Sequence, residues 1–213
     1  MSPAPTGLGR PPAALGSFPA AGVATELHRL SEFPGSWWYA SVRDVDAPSG
    51  GRFDLPHPHG TCHLAESFEG AVIEKLLRAP TKVVLAERLD EIFHTTVAVR
   101  ASPRTADLTS RRATSFGLNA EIHTTLDYGR TRRWAVALHR AGFRAVRHRL
   151  RGDVSQRHAG RALFGAAGLR HRAPAGMTSI VAPLDRTRAE AVLAGLGVAV
   201  RPIPVAVPIV RPS

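Results

Sequence analysis

Apolar residues recur every fourth position at Phe68, Val72 and Leu76, directly after Ser67 and ahead of Pro80, and this spacing predicts a helix with a serine cap. A second stripe, Trp134, Leu138 and Ala141, predicts a helix opening at Thr131 and closed by Gly142. Alternating or β-branched runs predict strands over residues 27–33, 61–65, 83–85, 92–99 and 143–150. Residues 46–60 read as a loop rich in Pro, Gly and His, where Gly50 and Gly51 let backbone approach a ligand or another strand closely. Residues 108–126 mix loops with some helix, and residues 187–196 form a short last helix. Strands and helices interleave, so the expected class is α+β.

The chain has 213 residues and no internal repeat. One core of this size buries roughly 70% of the unfolded surface and needs no disulfide or structural metal. Residues 1–24 carry five prolines among Ala and Gly, with Arg10 the one charge, which reads as a flexible tail and not as a signal peptide. The expected domain runs over residues 25–172. Residues 173–213 follow as a Pro-rich extension whose apolar end, residues 205–210, packs on the domain. No stretch reaches the roughly 18 apolar residues of a membrane span. The single Cys62 indicates a reducing compartment, so the expected location is cytoplasmic.

Charge narrows the picture further. Lys plus Arg is 28 against 17 Asp plus Glu, and only Lys75 and Lys82 are lysines. Between Arg100 and Arg172 lie 16 arginines against Asp107, Glu121, Asp127 and Asp153, a local charge of +12. Guanidinium groups chelate phosphate, so the excess suits nucleic acid, nucleotide or an acidic protein, although genome composition produces the same bias. There is no P-loop, no Gly-x-Ser-x-Gly elbow and no Cys-x-x-Cys pair. Gly195-Leu196-Gly197 follows a helix where a dinucleotide fingerprint precedes one.

Asp54, His57, His59, Cys62 and His63 offer zinc donors within ten residues, but Pro56 and Pro58 interrupt any regular presentation, which favours a solvated loop cluster and no metal. Glu74 falls on the Gly70, Ala71 and Leu77 side of its helix. Alone it reads as an exposed glutamate pairing with Lys75 or Arg78, just as Arg29 and Arg52 alone read as solvated charges.

Their order changes this. Arg29 in Leu-His-Arg-Leu, Gly51-Arg52-Phe53-Asp54, residues 60–67 (Gly-Thr-Cys-His-Leu-Ala-Glu-Ser), Glu74, Trp134-Ala135, Leu138-His139, Ala141-Gly142-Phe143, Arg151-Gly152-Asp153 and Leu163-Phe164-Gly165 together resemble the RES domain, over about residues 25–168.

The resemblance implies an ADP-ribosyltransferase-like mixed β-sheet core flanked by helices. It also implies an NAD-degrading toxin of a toxin–antitoxin pair, acting by phosphorolysis or hydrolysis of the nicotinamide-ribose bond. NAD is then substrate, inorganic phosphate a co-substrate in the first case, and an antitoxin the protein partner; no further cofactor is implied. On this resemblance Arg29 and Glu74 are catalytic, and Arg52, His63, Leu150 and Arg151 bind substrate. His63 stands where the family often has Tyr, and Leu150 where a serine precedes the second-half arginine, leaving the serine's role to Ser155, Arg149 or Arg151. The competing reading is a catalytically silent protein that contacts nucleic acid or an acidic partner through its arginine-rich segment.

Overall fold

Side chains of a strand alternate between two faces, and in this protein the alternation sorts the sequence into a helix-covered face and a face closed by a short ribbon. The computed structural model describes residues 7–35, 37–77 and 81–203. In chain order the elements are β1 (Glu26–Ser31), β2 (Trp37–Tyr39), β3 (Ser41–Val42), β4 (Leu55–Pro56), β5 (His59–Ala65), α1 (Phe68–Leu76), β6 (Val83–Leu85), α2 (Ala86–Asp90), β7 (Phe93–Val99), β8 (Thr105–Asp107), a 3-10 helix (Arg111–Phe116), α3 (Glu121–Thr124), α4 (Tyr128–Arg140), β9 (Ala145–Arg149), β10 (Ala159–Ala166), β11 (Gly168–Arg170), β12 (Met177–Pro183), α5 (Arg186–Gly195) and β13 (Ala199–Arg201).

Seven strands form one sheet in the order β12-β7-β1-β5-β10-β9-β8. Neighbours are antiparallel except β8 and β9, which are parallel, so the sheet is mixed. On one face, Leu30 of β1 and Ala65 of β5 meet α1 and α5, and Val146, Ala162 and Phe164 meet Trp134 and Leu138 of α4. On the other face, Leu27, Cys62, Leu64, Val97 and Leu163 pack with Trp37 and Tyr39 of β2, and β2 pairs with β11 in a separate ribbon.

The helix α1 forms as its sequence predicts. Ser67 accepts a hydrogen bond from the Gly70 N–H at 3.0 Å, and Phe68, Val72 and Leu76 are buried against the sheet, each contributing about 1.5–3 kcal/mol. Arg78 and Pro80 lie outside the described residues, as do residues 1–6 and 205–210.

Two boundaries differ from expectation. Residues 7–24 do not hang free: Leu8, Leu15 and Phe18 are buried, the Trp134 indole N–H donates to the Gly9 carbonyl at 2.9 Å, and Ala20 bridges Ala106. The prolines forbid a helix there but leave an extended strap whose spaced apolar side chains still find the core. The C-terminal part is no mere extension either, because β12 supplies an edge strand of the main sheet, registered along all of β7, and Ala189 and Leu193 of α5 join the cluster around α1.

Candidate functional site

The loop before β5 turns back on itself to deliver Arg52. Asp54 accepts from the Gly51 N–H at 2.5 Å, and a Cβ on Gly51 would sit 2.9 Å from the same carboxylate, so a larger residue there would push the carboxylate off this bond. Thr61 of β5 donates its hydroxyl to the Phe53 carbonyl at 2.8 Å and accepts from the Leu55 N–H at 3.3 Å, fixing the loop to the sheet. From α4, the Thr131 hydroxyl donates to the Arg52 carbonyl. Arg52 is 7% exposed, and its guanidinium donates to the carbonyls of His123 and Arg149.

Around this guanidinium lie Glu74 of α1, Tyr128 at the start of α4, and Arg151 beyond β9. Burial pulls the Arg52 guanidinium below its ordinary range, the charges of Glu74 and Tyr128 oppose that, and Arg151 adds to it; the group remains a cation. Arg151 sits over the Tyr128 ring, 5.9 Å from its centre.

Three histidines line the same region. His63 Nε2 is 2.9 Å from Asp54 Oδ1. Burial alone pushes the Asp54 carboxyl up, but the His63 hydrogen bond, the Gly51 N–H and the Arg132 charge hold it below its usual value. His148 donates from Nδ1 to the Arg149 carbonyl at 3.0 Å, which leaves Nε2 as a buried lone pair with no partner among the described residues. Burial, then the Arg52 charge, keeps this ring neutral. His123 accepts from the Arg149 N–H at Nδ1, and burial with the charges of Arg52 and Arg149 lowers its pKa to about 4. The neutral rings of His123 and His148 add no competing cation beside Arg52.

The structure thus groups Glu74, Arg52, Arg151 and His63 on the helix-covered face. It does not bring Arg29 to them. Arg29 alternates with Leu30 on β1 and points to the ribbon face, where its guanidinium donates toward Cys62 Sγ at 3.5 Å. Burial pushes that thiol up to about 11, with Arg29 opposing. Leu150 is 1% exposed and packs against Gly70 of α1 and Gly160 of β10, so it fills core beneath the helix and presents no surface to a substrate. Of the three alternatives to the serine, two are engaged elsewhere, Ser155 donating to Asp153 at 2.5 Å and Arg149 to the Arg157 carbonyl at 2.9 Å, whereas Arg151 lies near Arg52.

The zinc-type donors separate, with Cys62 on one face and His63 on the other, and His59 stacking edge-on against His139. Within the arginine-rich segment Arg132 and Arg161 are buried and, with Arg104 and Arg147, bond to groups of the fold itself, while Arg100, Arg111, Arg112, Arg130, Arg140 and Arg144 are exposed. Sequence reasoning missed Tyr128, His123 and His148. The one signal for Tyr128 is its place beside Asp127, which caps α4 by accepting from the Arg130 N–H.

Residues 26–180 match the model of the RES domain, and the chain belongs to that family. Among solved structures, a chain in the crystal structure of the M. tuberculosis MbcT-MbcA toxin-antitoxin complex shares the fold, with TM-score 0.52 and 14% identity over 82% of this chain and 92% of that one. No curated protein matches the chain. Among the described residues, no helix is long and apolar enough to cross a membrane.

Proposed function

We propose that this RES-domain protein cleaves the bond between nicotinamide and ribose in NAD, and that it is the toxin of a toxin–antitoxin pair. The observation that supports this most is the cluster of Arg52, Arg151 and Glu74. Arg52 is held by two neutral backbone carbonyls, so its charge is retained for an anion. The pyrophosphate of NAD provides one, with Arg151 as a second contact, and charge-assisted bonds of this kind fix the substrate. His63, in the position where the family often has Tyr, borders the same space with an orientation set by Asp54.

As the glycosidic bond lengthens, positive charge passes from the pyridinium ring onto the ribose C1′ and its ring oxygen. The Glu74 carboxylate stabilises that charge. Nicotinamide leaves neutral with the bonding electron pair, so no general acid is needed. Water or inorganic phosphate then bonds to C1′. Water gives ADP-ribose and a released proton; phosphate gives the ADP-ribose phosphate ester. Arg29 takes no part in this arrangement. The exposed Arg111, Arg112, Arg140 and Arg144 suit an acidic antitoxin.

Mass spectrometry of products from NAD, with and without phosphate, tests the reading. Nicotinamide release is expected, and intact NAD in both conditions with folded protein overturns it. Glu74→Gln lowers kcat at least about 100-fold with little change in melting temperature; a normal rate would leave Glu74 a structural residue.

A further inference from the structure

Arg132 of α4 is 1% exposed, yet no carboxylate of the described residues forms an ion pair with it. Its partners are four backbone carbonyls of the loop that precedes Arg52. Nε donates to Gly51 at 3.0 Å, one terminal nitrogen to Val45 at 3.4 Å and Ala47 at 2.6 Å, and the other to Ser49 at 2.6 Å. These carbonyls belong to alternate residues, so the segment wraps the guanidinium as a chain wraps a bound cation. Gly50, at φ +99°, completes the wrap: a Cβ there would lie 2.5 Å from Val42 and 3.2 Å from the Arg132 guanidinium.

The loop has no ladder or helix of its own over residues 43–54, and its carbonyls would otherwise be orphaned against the protein. A guanidinium offers five N–H donors in a fixed fork, enough to meet all four, whereas a lysine ammonium offers three. The neighbouring Thr131 holds the Arg52 carbonyl itself. One turn of α4 therefore fixes the backbone on the approach to Arg52 and at Arg52.

We infer that Arg132 is a positioning residue of the site: its buried guanidinium is the internal cation that shapes residues 45–51 and so sets where Arg52 presents its charge. This rests on the NAD reading for its kinetic consequence but not for its structural one.

The test compares wild type, Arg132→Met, Arg132→Lys and Thr131→Val by hydrogen exchange and by NAD cleavage. Exchange of the hydrogen-bonded amides of Asp46, Ala47 and Gly51 rises at least about tenfold in both Arg132 variants, while β7 and β12 keep their protection. KM for NAD rises about tenfold or more, and kcat falls less, because a displaced Arg52 loses its grip on the bound phosphates. Thr131→Val raises KM by a smaller factor and leaves exchange over residues 45–49 unchanged. Wild-type protection of the Asp46, Ala47 and Gly51 amides in Arg132→Lys overturns the inference. So does a loosened loop with unchanged KM. If Arg132→Met does not fold, the lysine and Thr131→Val variants decide. Wild-type protein that leaves NAD intact removes the proposed activity, and the exchange data still decide whether Arg132 shapes the loop.

Discussion

Buried arginines occur on both faces of the sheet, and the two sets are neutralised differently. On the ribbon face, Arg147 of β9 and Arg161 of β10 are direct cross-strand partners, a like-charge pairing that is unfavourable by itself. Glu66 resolves it, lying 2.9 Å from Arg147 and 2.8 Å from Arg161, while Arg161 also donates to the Gly22 carbonyl at 2.7 Å. Burial raises the Glu66 carboxyl, but these two arginines hold it below its ordinary value. On the helix face, the hydrogen bonds of Arg52 and Arg132 go to backbone carbonyls, with the Glu74 carboxylate near the first and the Asp54 carboxylate near the second. The first set is sealed and has little charge left to offer. The second keeps its positive potential, which is what a site for a phosphate-bearing substrate requires.

Acid breaks this contrast most strongly. Folded His123 titrates at about 4 because burial and its neighbouring arginines resist protonation, whereas in the unfolded chain it takes a proton near 6.5. Between those values the unfolded chain binds more protons. The stabilisation from neutral His123 is therefore complete above pH 6.5 and lost as pH falls toward 4, by about 3 kcal/mol. His148, also lowered by burial, acts in the same direction. Urea unfolding across pH 7 to 4 checks this, and hydrogen exchange at pH 5 shows α3 and the Arg52 loop loosening before residues 19–24. Stability that stays flat down to pH 4.5 contradicts it.

Glu66→Leu breaks the other set. The buried Arg161 and the half-buried Arg147 lose their shared anion, and because Arg147 and Glu66 are partly exposed the cost lies at the lower end of such losses, about 3 kcal/mol by urea unfolding. NAD turnover per folded molecule stays at the wild-type value, since the disturbance lies across the sheet. A fall in kcat would mean the faces are coupled. Tyr128→Leu is the smallest change: it removes the ring beneath Arg151 and beside Arg132, worth about 0.5–1 kcal/mol, and raises KM for NAD about two- to fivefold. An unchanged KM would show that Arg151 is held by other contacts.

Much of this arrangement is legible in the sequence where one face is buried and the other wet. Ser67 with Phe68, Val72 and Leu76 marks α1, and the β-branched run marks β7. What stays hidden has a physical reason. β10, with Ala159, Gly160, Arg161 and Ala162, is buried on both sides, so it shows no alternation and has little β propensity. Leu8, Leu15 and Phe18 are spaced too irregularly to signal a packed strap. The RES blocks name Arg29 and Arg52 alike, but strand phase decides the face, and Arg29 falls out of phase with α1. An arginine inside a helix, such as Arg132, reads as a surface charge, because nothing local reveals the four carbonyls waiting for it.

The helix that carries Glu74 leans on Leu184, Ala189, Leu193 and Val198, residues that a ribosome adds more than a hundred positions after it. A nascent chain therefore holds this carboxylate on a helix that lacks part of its packing until those residues have cleared the exit tunnel. The packing around α1 is completed late in translation, and a chain terminated before residue 184 lacks that part of it.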